Sequence, residues 1–292
     1  MVKICGFTFV KNAVKLDFPL VESILSALPL CEKFIVALGD STDGTRELIK
    51  NLGSNKIQII DSVWDESQKT GGRVYALETD KAFQAVGPEY DWCLYIQADE
   101  VLHEKDYPAI RDTIAKWDKQ KNVDGFLFKY FHFYGTFDYV GNSRKWYRNE
   151  IRIIRNDKSI MSYRDAQGFR KYGRKLSVVP IDATIYHYGW VRQPALMKQK
   201  FNTVKRYYSG EIVDFDAFEF DYENNFDALM KFQGTHPEVM KNRIRLKNWH
   251  INIDTSKIHM KLKYKILYYI EKYFGVRLFE YKNYRIYSKD SK

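Results

Sequence analysis

The stretch that most limits the fold joins a short apolar run, residues 92–96, to the adjacent carboxylates Asp99 and Glu100. A run this short and this apolar is typical of a strand buried on both faces, as in a parallel sheet. Open α/β sheets bind ligands at the carboxyl ends of their strands, so both carboxylates stand where chemistry is expected. Carboxylate oxygens suit Mg²⁺ or Mn²⁺ bound to a diphosphate. Capping of a helix that starts near Asp106 is the alternative role.

Three further apolar runs precede this stretch, at residues 4–10, 34–38 and 56–61, and each predicts a strand. Helical patterns separate the runs, the last of them over about residues 71–86. Strand–helix repeats at this spacing predict an α/β fold with a mostly parallel sheet flanked by helices.

A polar turn at residues 39–45 follows the second predicted strand, and the central strand ends in Gln97-Ala98-Asp99-Glu100. This combination resembles the family-2 glycosyltransferases of the GT-A fold, over about residues 2–192. The resemblance implies a nucleotide-sugar-binding catalytic domain at 1–192. Residues 193–292 would form a mainly helical C-terminal region, basic and aromatic at its end.

The resemblance also implies roles for individual residues. Donor-binding positions would be Phe7, Thr8, Phe9, Asp40, Asp43, Arg73, Gln97 and Ala98. Asp99 and His187 would hold a divalent metal ion, Mn²⁺ or Mg²⁺, and Asp165 would be the catalytic base. Glu100 beside the metal, and Trp190 and Arg192 on the acceptor or diphosphate side, are further candidates.

Structural roles compete with several of these assignments. Asp40 and Asp43 occupy a turn before a helix, where Asp commonly caps or closes the turn. Asp165 has Arg164 and Arg170 nearby in sequence as ion-pair partners. An isolated histidine such as His187 is often structural.

The family resemblance predicts an inverting glycosyltransferase that moves a sugar from a nucleotide-diphosphate sugar, most simply a UDP-sugar, to a glycan or lipid-linked glycan. A sugar nucleotidyltransferase is an alternative, but its Gly-rich first loop is missing after Val10. A non-catalytic glycan- or membrane-binding protein on the same fold is another. No Gly-x-Gly-x-x-Gly follows the first strand, which disfavours a dehydrogenase.

The charge of +10 is concentrated at the end of the chain. Residues 241–292 contain fourteen Lys/Arg and four Asp/Glu, and the rest of the chain is balanced. Basic residues mixed with aromatic ones suit an anionic membrane surface. Nucleic-acid binding is the rival interpretation, but no known nucleic-acid module is present; a helix packed on the main domain is the other.

Targeting patterns predict a cytoplasmic protein, peripheral on the inner face of the cell membrane if the basic tail contacts lipid. The N-terminus shows no leader pattern, and no apolar stretch approaches the ~20 residues of a membrane span. The three cysteines are dispersed, without zinc-ligand spacing, and an odd number suits a reducing compartment.

Overall fold

A computed structural model describes residues 2–65, 67–68, 70–209 and 220–288 of an α/β protein. Its first part alternates strands and helices: β1 (Ile4–Val10), α1 (Leu20–Ala27), β2 (Lys33–Leu38), α2 (Thr45–Lys50), β3 (Ile57–Asp61), α3 (Arg73–Gln84) and β4 (Trp92–Tyr95). β1 pairs in parallel with both β2 and β4, and β2 pairs in parallel with β3. The predicted parallel α/β arrangement is confirmed for this part.

Helices cover both faces of these strands. Along β2, Phe34 and Val36 join the apolar cluster under α1, whereas Ile35 and Ala37 join the cluster under α3. Successive side chains of a strand point to opposite faces, so a strand between two helical layers needs a continuous apolar sequence. This is why β1, β2 and β4 have largely apolar sequences instead of alternation, whereas the edge strand β3 keeps exposed polar residues.

The second part is mixed. It contains β5 (Glu100–Leu102), α4 (Tyr107–Trp117), β6 (Gly125–Gly135), β7 (Tyr139–Gly141), β8 (Asn149–Arg155), β9 (Ile160–Tyr163), β10 (Gly168–Lys171), β11 (Arg174–Lys175), β12 (Ser177–Val191), α5 (Pro194–Ser209), β13 (Leu229–Lys231), α6 (Lys241–Arg245), α7 (Leu262–Phe274) and β14 (Arg285–Ile286). Short 3₁₀ helices lie at Leu28–Leu30, Glu104–Asp106 and Glu238–Met240. β8 runs antiparallel between β4 and β6, β12 runs parallel to β6, and β9 to β11 form a separate small sheet.

The order β3-β2-β1-β4 places the strands that follow β1 on opposite sides of it. At such a switch point the connections diverge to the two faces and leave a crevice at the carboxyl ends of the strands. The crevice here lies beyond the ends of β1 and β4.

The C-terminal part is not separate from the main sheet. After residue 193 the described chain contains the helices α5, α6 and α7 and two short strands. Of these strands, β13 pairs with β7 and β14 pairs with β12. The division at residue 192 therefore remains a prediction. Within the described ranges, no helix has both the length and the apolar character to cross a membrane.

Candidate active site

A cavity of about 380 Å³ occupies the crevice at the switch point. Its base is formed by Phe9 at the end of β1, by Lys11 just beyond it, and by Gln97 to Asp99 after β4. This volume lies within the range of sites that bind small molecules. The position agrees with the ligand site expected from the strand order.

Helix α5 closes the cavity on one side. It follows β12 directly, and Met197, Lys200, Thr203, Val204 and Tyr207 line the cavity at helical spacing. The apolar stripe of α5 thus packs over the carboxyl ends of the strands. A segment outside the predicted catalytic domain contributes a wall of the site.

The cavity brings together part of the predicted set. Its lining includes Phe9, Gln97, Ala98, Asp99, Asp165, His187 and Trp190. It also includes residues that the sequence did not single out as site residues, among them Lys11, Asn12, Trp64, Tyr75, Tyr147, Gln167, Lys200, Tyr207 and Tyr208.

The other predicted donor-binding residues lie outside the lining. Phe7 is buried against Phe83 and Tyr95, and the Thr8 hydroxyl donates to a main-chain carbonyl. Asp43 accepts hydrogen bonds from the main-chain N–H groups of Lys15 and Thr45, which is the turn-forming role.

Two of these donor-binding candidates are exposed. Arg73 is exposed at the start of α3. Asp40 is half-exposed and reaches the cavity only through Lys11, whose Nζ lies 2.7 Å from Asp40 Oδ1.

Glu100 and Arg192 are buried and already satisfied. Glu100 forms a bidentate ion pair with Arg152, whose Nε donates to Glu100 Oε2 and whose Nη2 donates to Glu100 Oε1, each at 2.7 Å. Arg192 donates to the carbonyl oxygens of Leu16 and Gly189. Neither side chain reaches the cavity lining, so both support the residues around the site.

Lys200 is the main charged partner of Asp99 in the cavity. Lys200 Nζ lies 2.8 Å from Asp99 Oδ2 and also donates to the carbonyl of Gly189. Burial alone would raise the pKa of Asp99, but the charge and hydrogen bond of Lys200, with the charge of Arg192, hold it well below its usual range. Burial, together with the nearby Arg192 charge, lowers the pKa of Lys200 to about 8. Asp99 is therefore a carboxylate at neutral pH.

A chain of hydrogen bonds fixes the orientation of His187. The carbonyl of Tyr147 can only accept, so His132 Nε2, at 2.8 Å, carries a hydrogen. Burial lowers the pKa of both imidazoles, which keeps them neutral. His132 Nδ1 then accepts from His187 Nδ1 at 3.0 Å, which leaves a lone pair on His187 Nε2. That atom lies 3.7 Å from Asp99 Oδ1.

The space beside Asp99 and His187 depends on Gly189. A Cβ at position 189 would overlap the His187 imidazole and lie 2.9 Å from Asp99 Oδ2. The Asp99 carboxylate oxygen and the His187 Nε2 lone pair are 3.7 Å apart. Together they are a pair of ligand atoms that suits Mn²⁺ or Mg²⁺. Among the described residues no group of three or more His, Cys, Asp and Glu side chains could hold a metal ion.

Aromatic rings form another wall of the cavity. The ring centroid of Trp64 is 5.9 Å from that of Phe9, 5.6 Å from that of Tyr75 and 5.4 Å from that of Tyr207. The contact with Phe9 is tilted and the other two are edge-to-face, an arrangement that aromatic pairs prefer to a face-to-face sandwich. The cluster gives a flat ligand ring an apolar surface beside the end of β1.

Asp165 lies between β9 and β10 and faces the cavity. Its Oδ2 accepts from the Tyr208 hydroxyl at 2.8 Å, and its Oδ1 accepts from the main-chain N–H of Gln167 at 2.9 Å. Arg164 and Arg170 stack instead on Tyr163. Asp165 thus lies at the cavity with its carboxylate held by Tyr208 and Gln167, and its role as the base remains a prediction.

A second carboxyl lies behind the cavity wall. Glu150 is buried, Gln167 Nε2 donates to its Oε1, and its Oε2 has no partner among the described residues. Burial raises the pKa of Glu150 to about 7 from 4.5.

Glu150 should make the stability of the protein depend on pH. Between these two pKa values the folded chain keeps a proton that the unfolded chain has lost, so stability falls as pH rises and the full cost applies above pH 7. Relative to Glu150→Gln, the native protein should lose about 1–3 kcal/mol of unfolding free energy between about pH 5 and pH 8. Urea denaturation at both pH values measures the difference, with the exposed Glu89→Gln as control. Parallel pH curves for native protein and Glu150→Gln would contradict the assignment.

No protein-family model and no curated protein sequence matches the chain. Among solved structures it is similar to S. aureus TarS, with TM-score 0.39 and 15% identity over 70% of this chain and 39% of that chain. For S. aureus TarS 1-349 in complex with UDP, the TM-score is 0.39 and the identity is 13%, over 70% of this chain and 64% of that chain. A third similar structure is glucosyl-3-phosphoglycerate synthase from Mycobacterium tuberculosis in complex with Mn²⁺, UDP and phosphoglyceric acid. Its TM-score is 0.30 and its identity is 17%, over 45% of this chain and 43% of that chain. The chain thus spans less than two thirds of each, and the likeness is distant.

Proposed function

We propose that this chain is an inverting glycosyltransferase of the GT-A type, which transfers a sugar from a UDP-sugar to a glycan or lipid-linked glycan. The observation that carries the proposal is the single cavity that contains an aromatic wall, the Asp99–His187 pair with Lys200, and the carboxylate of Asp165. A nucleotide-diphosphate sugar has a flat base, a charged diphosphate and a reacting carbon. Each of these three parts has a matching group in the cavity.

The nucleoside would lie against the aromatic wall. Phe9, Trp64 and Tyr75 offer ring faces and edges to the base. Asn12 and Gln97 line the same cavity with amide groups that can bond to the ribose or the base. Contributions from Asp40, Asp43 and Arg73 remain predictions, because they would need the donor to extend beyond the cavity lining.

Asp99 and His187 would hold a divalent ion, Mn²⁺ or Mg²⁺, with diphosphate oxygens as its other ligands. When bound, such an ion offsets the negative charge that develops on the leaving diphosphate. Lys200 keeps Asp99 ionised and adds a positive charge beside it. Gly189 preserves the space that the ion and the diphosphate need.

Nucleotide binding tests the proposal directly. UDP should raise the melting temperature more with Mn²⁺ than with EDTA, and more than other nucleoside diphosphates do. Asp99→Asn should weaken metal-dependent UDP binding by roughly 1–3 kcal/mol in calorimetry, the scale of a lost charge-assisted contact. Asp182→Asn is the matched control, because Asp182 is exposed and lies outside the cavity lining. UDP binding that neither EDTA nor Asp99→Asn changes would contradict the metal role.

The two alternative functions inferred from the sequence would give different results in activity assays. A non-catalytic glycan- or membrane-binding protein would bind its ligand without releasing UDP from a UDP-sugar. A sugar nucleotidyltransferase would consume a nucleoside triphosphate and a sugar phosphate. Assaying both reactions with the same preparation separates the three functions.

A further inference from the structure

Helix α7 is attached to the rest of the protein by its polar side. Glu271 forms ion pairs with Arg144, Arg148 and Arg277. One turn earlier, the buried Tyr268 accepts a hydrogen bond from Asn142 Nδ2 at 3.1 Å. Positions three apart on a helix share a face, so a charged and polar face is turned toward the protein.

The opposite face of α7 is apolar and exposed. Leu262, Ile266 and Tyr273 follow one another along this face, and they are 74%, 53% and 72% exposed. Phe274 beside them is 76% exposed, and Phe279 just beyond the helix is 90% exposed. A surface helix normally buries its apolar stripe and leaves its charges in water. In α7 the arrangement is reversed, and a contiguous exposed apolar patch of this kind marks an interaction site.

Lysines border the apolar face. Lys265 and Lys272 share one flank of α7 and Lys263 lies beside Leu262, and all three are exposed. Acidic residues do not balance them among the described residues 261–288, because Glu271 and Glu280 are both paired with arginines. The patch is therefore apolar at its centre and positively charged at its edges.

We propose that this face of α7, with Phe279, binds an anionic lipid membrane surface. A helix with an apolar face and flanking lysines lies in the plane of the interface, with its rings and aliphatic chains among the lipids and its ammonium groups at the headgroups. Each lysine near an anionic surface adds to the attraction. A second copy of the chain is the less favourable occupant, because it would bring lysine-bordered faces together without acidic partners.

The membrane-binding face is connected to the cavity by one segment. Arg277 Nη2 donates to the carbonyl oxygens of Arg144 and Trp146, each at 2.8 Å. The next residue, Tyr147, lines the cavity. If the proposed transferase activity holds, this arrangement suits an acceptor that is itself attached to the membrane. Lipid binding as such does not depend on that activity.

Co-sedimentation of the full chain with vesicles tests the proposal. The protein should bind vesicles of phosphatidylcholine mixed with phosphatidylglycerol, but not phosphatidylcholine alone, and should be released at ~1 M salt, where the Debye length falls to ~3 Å. Leu262→Ser and Phe274→Ser should each lower the vesicle partition coefficient about tenfold, since burial of one large apolar side chain is worth roughly that factor. Leu246→Ser is the control, because Leu246 is 72% exposed but lies outside α7.

The outcomes distinguish the possible occupants. Replacing Lys263, Lys265 and Lys272 together by glutamine should abolish the preference for anionic vesicles. Absence of binding to anionic vesicles by the folded protein overturns the proposal, and so does binding that Leu246→Ser weakens as much as Leu262→Ser. A native dimer that Leu262→Ser makes monomeric, seen by light scattering without vesicles, would instead identify a second copy as the occupant. The exposed positions of these side chains should keep the variants folded, and circular dichroism checks this.

Discussion

Replacing Asp165 by asparagine should lower the turnover of a bound UDP-sugar about 10²-fold or more, while nucleotide binding stays close to that of the native protein. The amide has the shape of the carboxylate but cannot take the proton of an acceptor hydroxyl. The hydrogen bonds from Tyr208 and Gln167 hold the carboxylate toward the cavity. Asparagine keeps an oxygen that can accept one of them, so the local structure should survive.

Release of UDP from the UDP-sugar, with water or an added glycan as acceptor, measures the turnover of each variant. Tyr208→Phe is the matched control, because it removes a hydrogen bond to Asp165 but leaves the carboxylate in place. Its loss should be clearly smaller than that of Asp165→Asn. Near-native turnover in Asp165→Asn would exclude Asp165 as the base. Glu150, connected through Gln167 and with its pKa raised to about 7 by burial, would then be the next carboxyl to replace.

The sequence predicts the parallel part of the fold well because its signal is local. Buried strands such as β1 and β4 need continuous apolar runs, and the turns between them need polar and glycine residues. The position of the ligand crevice follows from the strand order, so Gln97, Ala98 and Asp99 could be placed at it from their position after β4.

The wall formed by α5 could not be predicted from sequence in the same way. Its helical pattern is visible from Pro194, but nothing local indicates that the helix packs over the ends of β1 and β4. The one signal is Lys200, a cation on the same side of the helix as Met197, Val204 and Tyr207. A buried lysine needs a partner of opposite charge, and only the tertiary structure shows that the partner is Asp99.

The adjacent carboxylates Asp99 and Glu100 have separate environments that sequence cannot distinguish. Asp99 lies in the turn after β4, whereas Glu100 is the first residue of β5, so the two side chains leave the main chain in different directions. Asp99 faces the cavity, whereas Glu100 faces Arg152 on β8. The aromatic residues from β6 to Tyr147 also have different environments: Phe133 and Tyr134 are packed in apolar clusters, whereas Tyr147 reaches the cavity.

Glu100 and Arg152 form an ion pair in the protein interior, where each charge depends on its partner for stabilisation. Both side chains are fully buried, and Glu100 also accepts from the Tyr130 hydroxyl at 2.9 Å and from the main-chain N–H of Gln97 at 3.1 Å. These contacts satisfy both carboxylate oxygens. Because the bond from Gln97 lies in the turn that carries Asp99, the pair also fixes the base of the cavity.

Arg152→Met should therefore destabilise the protein by about 3–5 kcal/mol, because it leaves the Glu100 carboxylate buried without its partner. Guanidinium denaturation measures the loss, and Lys129→Met, at the exposed Lys129–Asp182 pair, is the control that should leave the midpoint unchanged. Arg152→Met combined with Glu100→Leu should recover part of the loss, since no unpaired charge then remains. A midpoint for Arg152→Met equal to that of Lys129→Met would show that Glu100 is neutral or solvated, and would remove the reason for a rigid turn beneath Asp99.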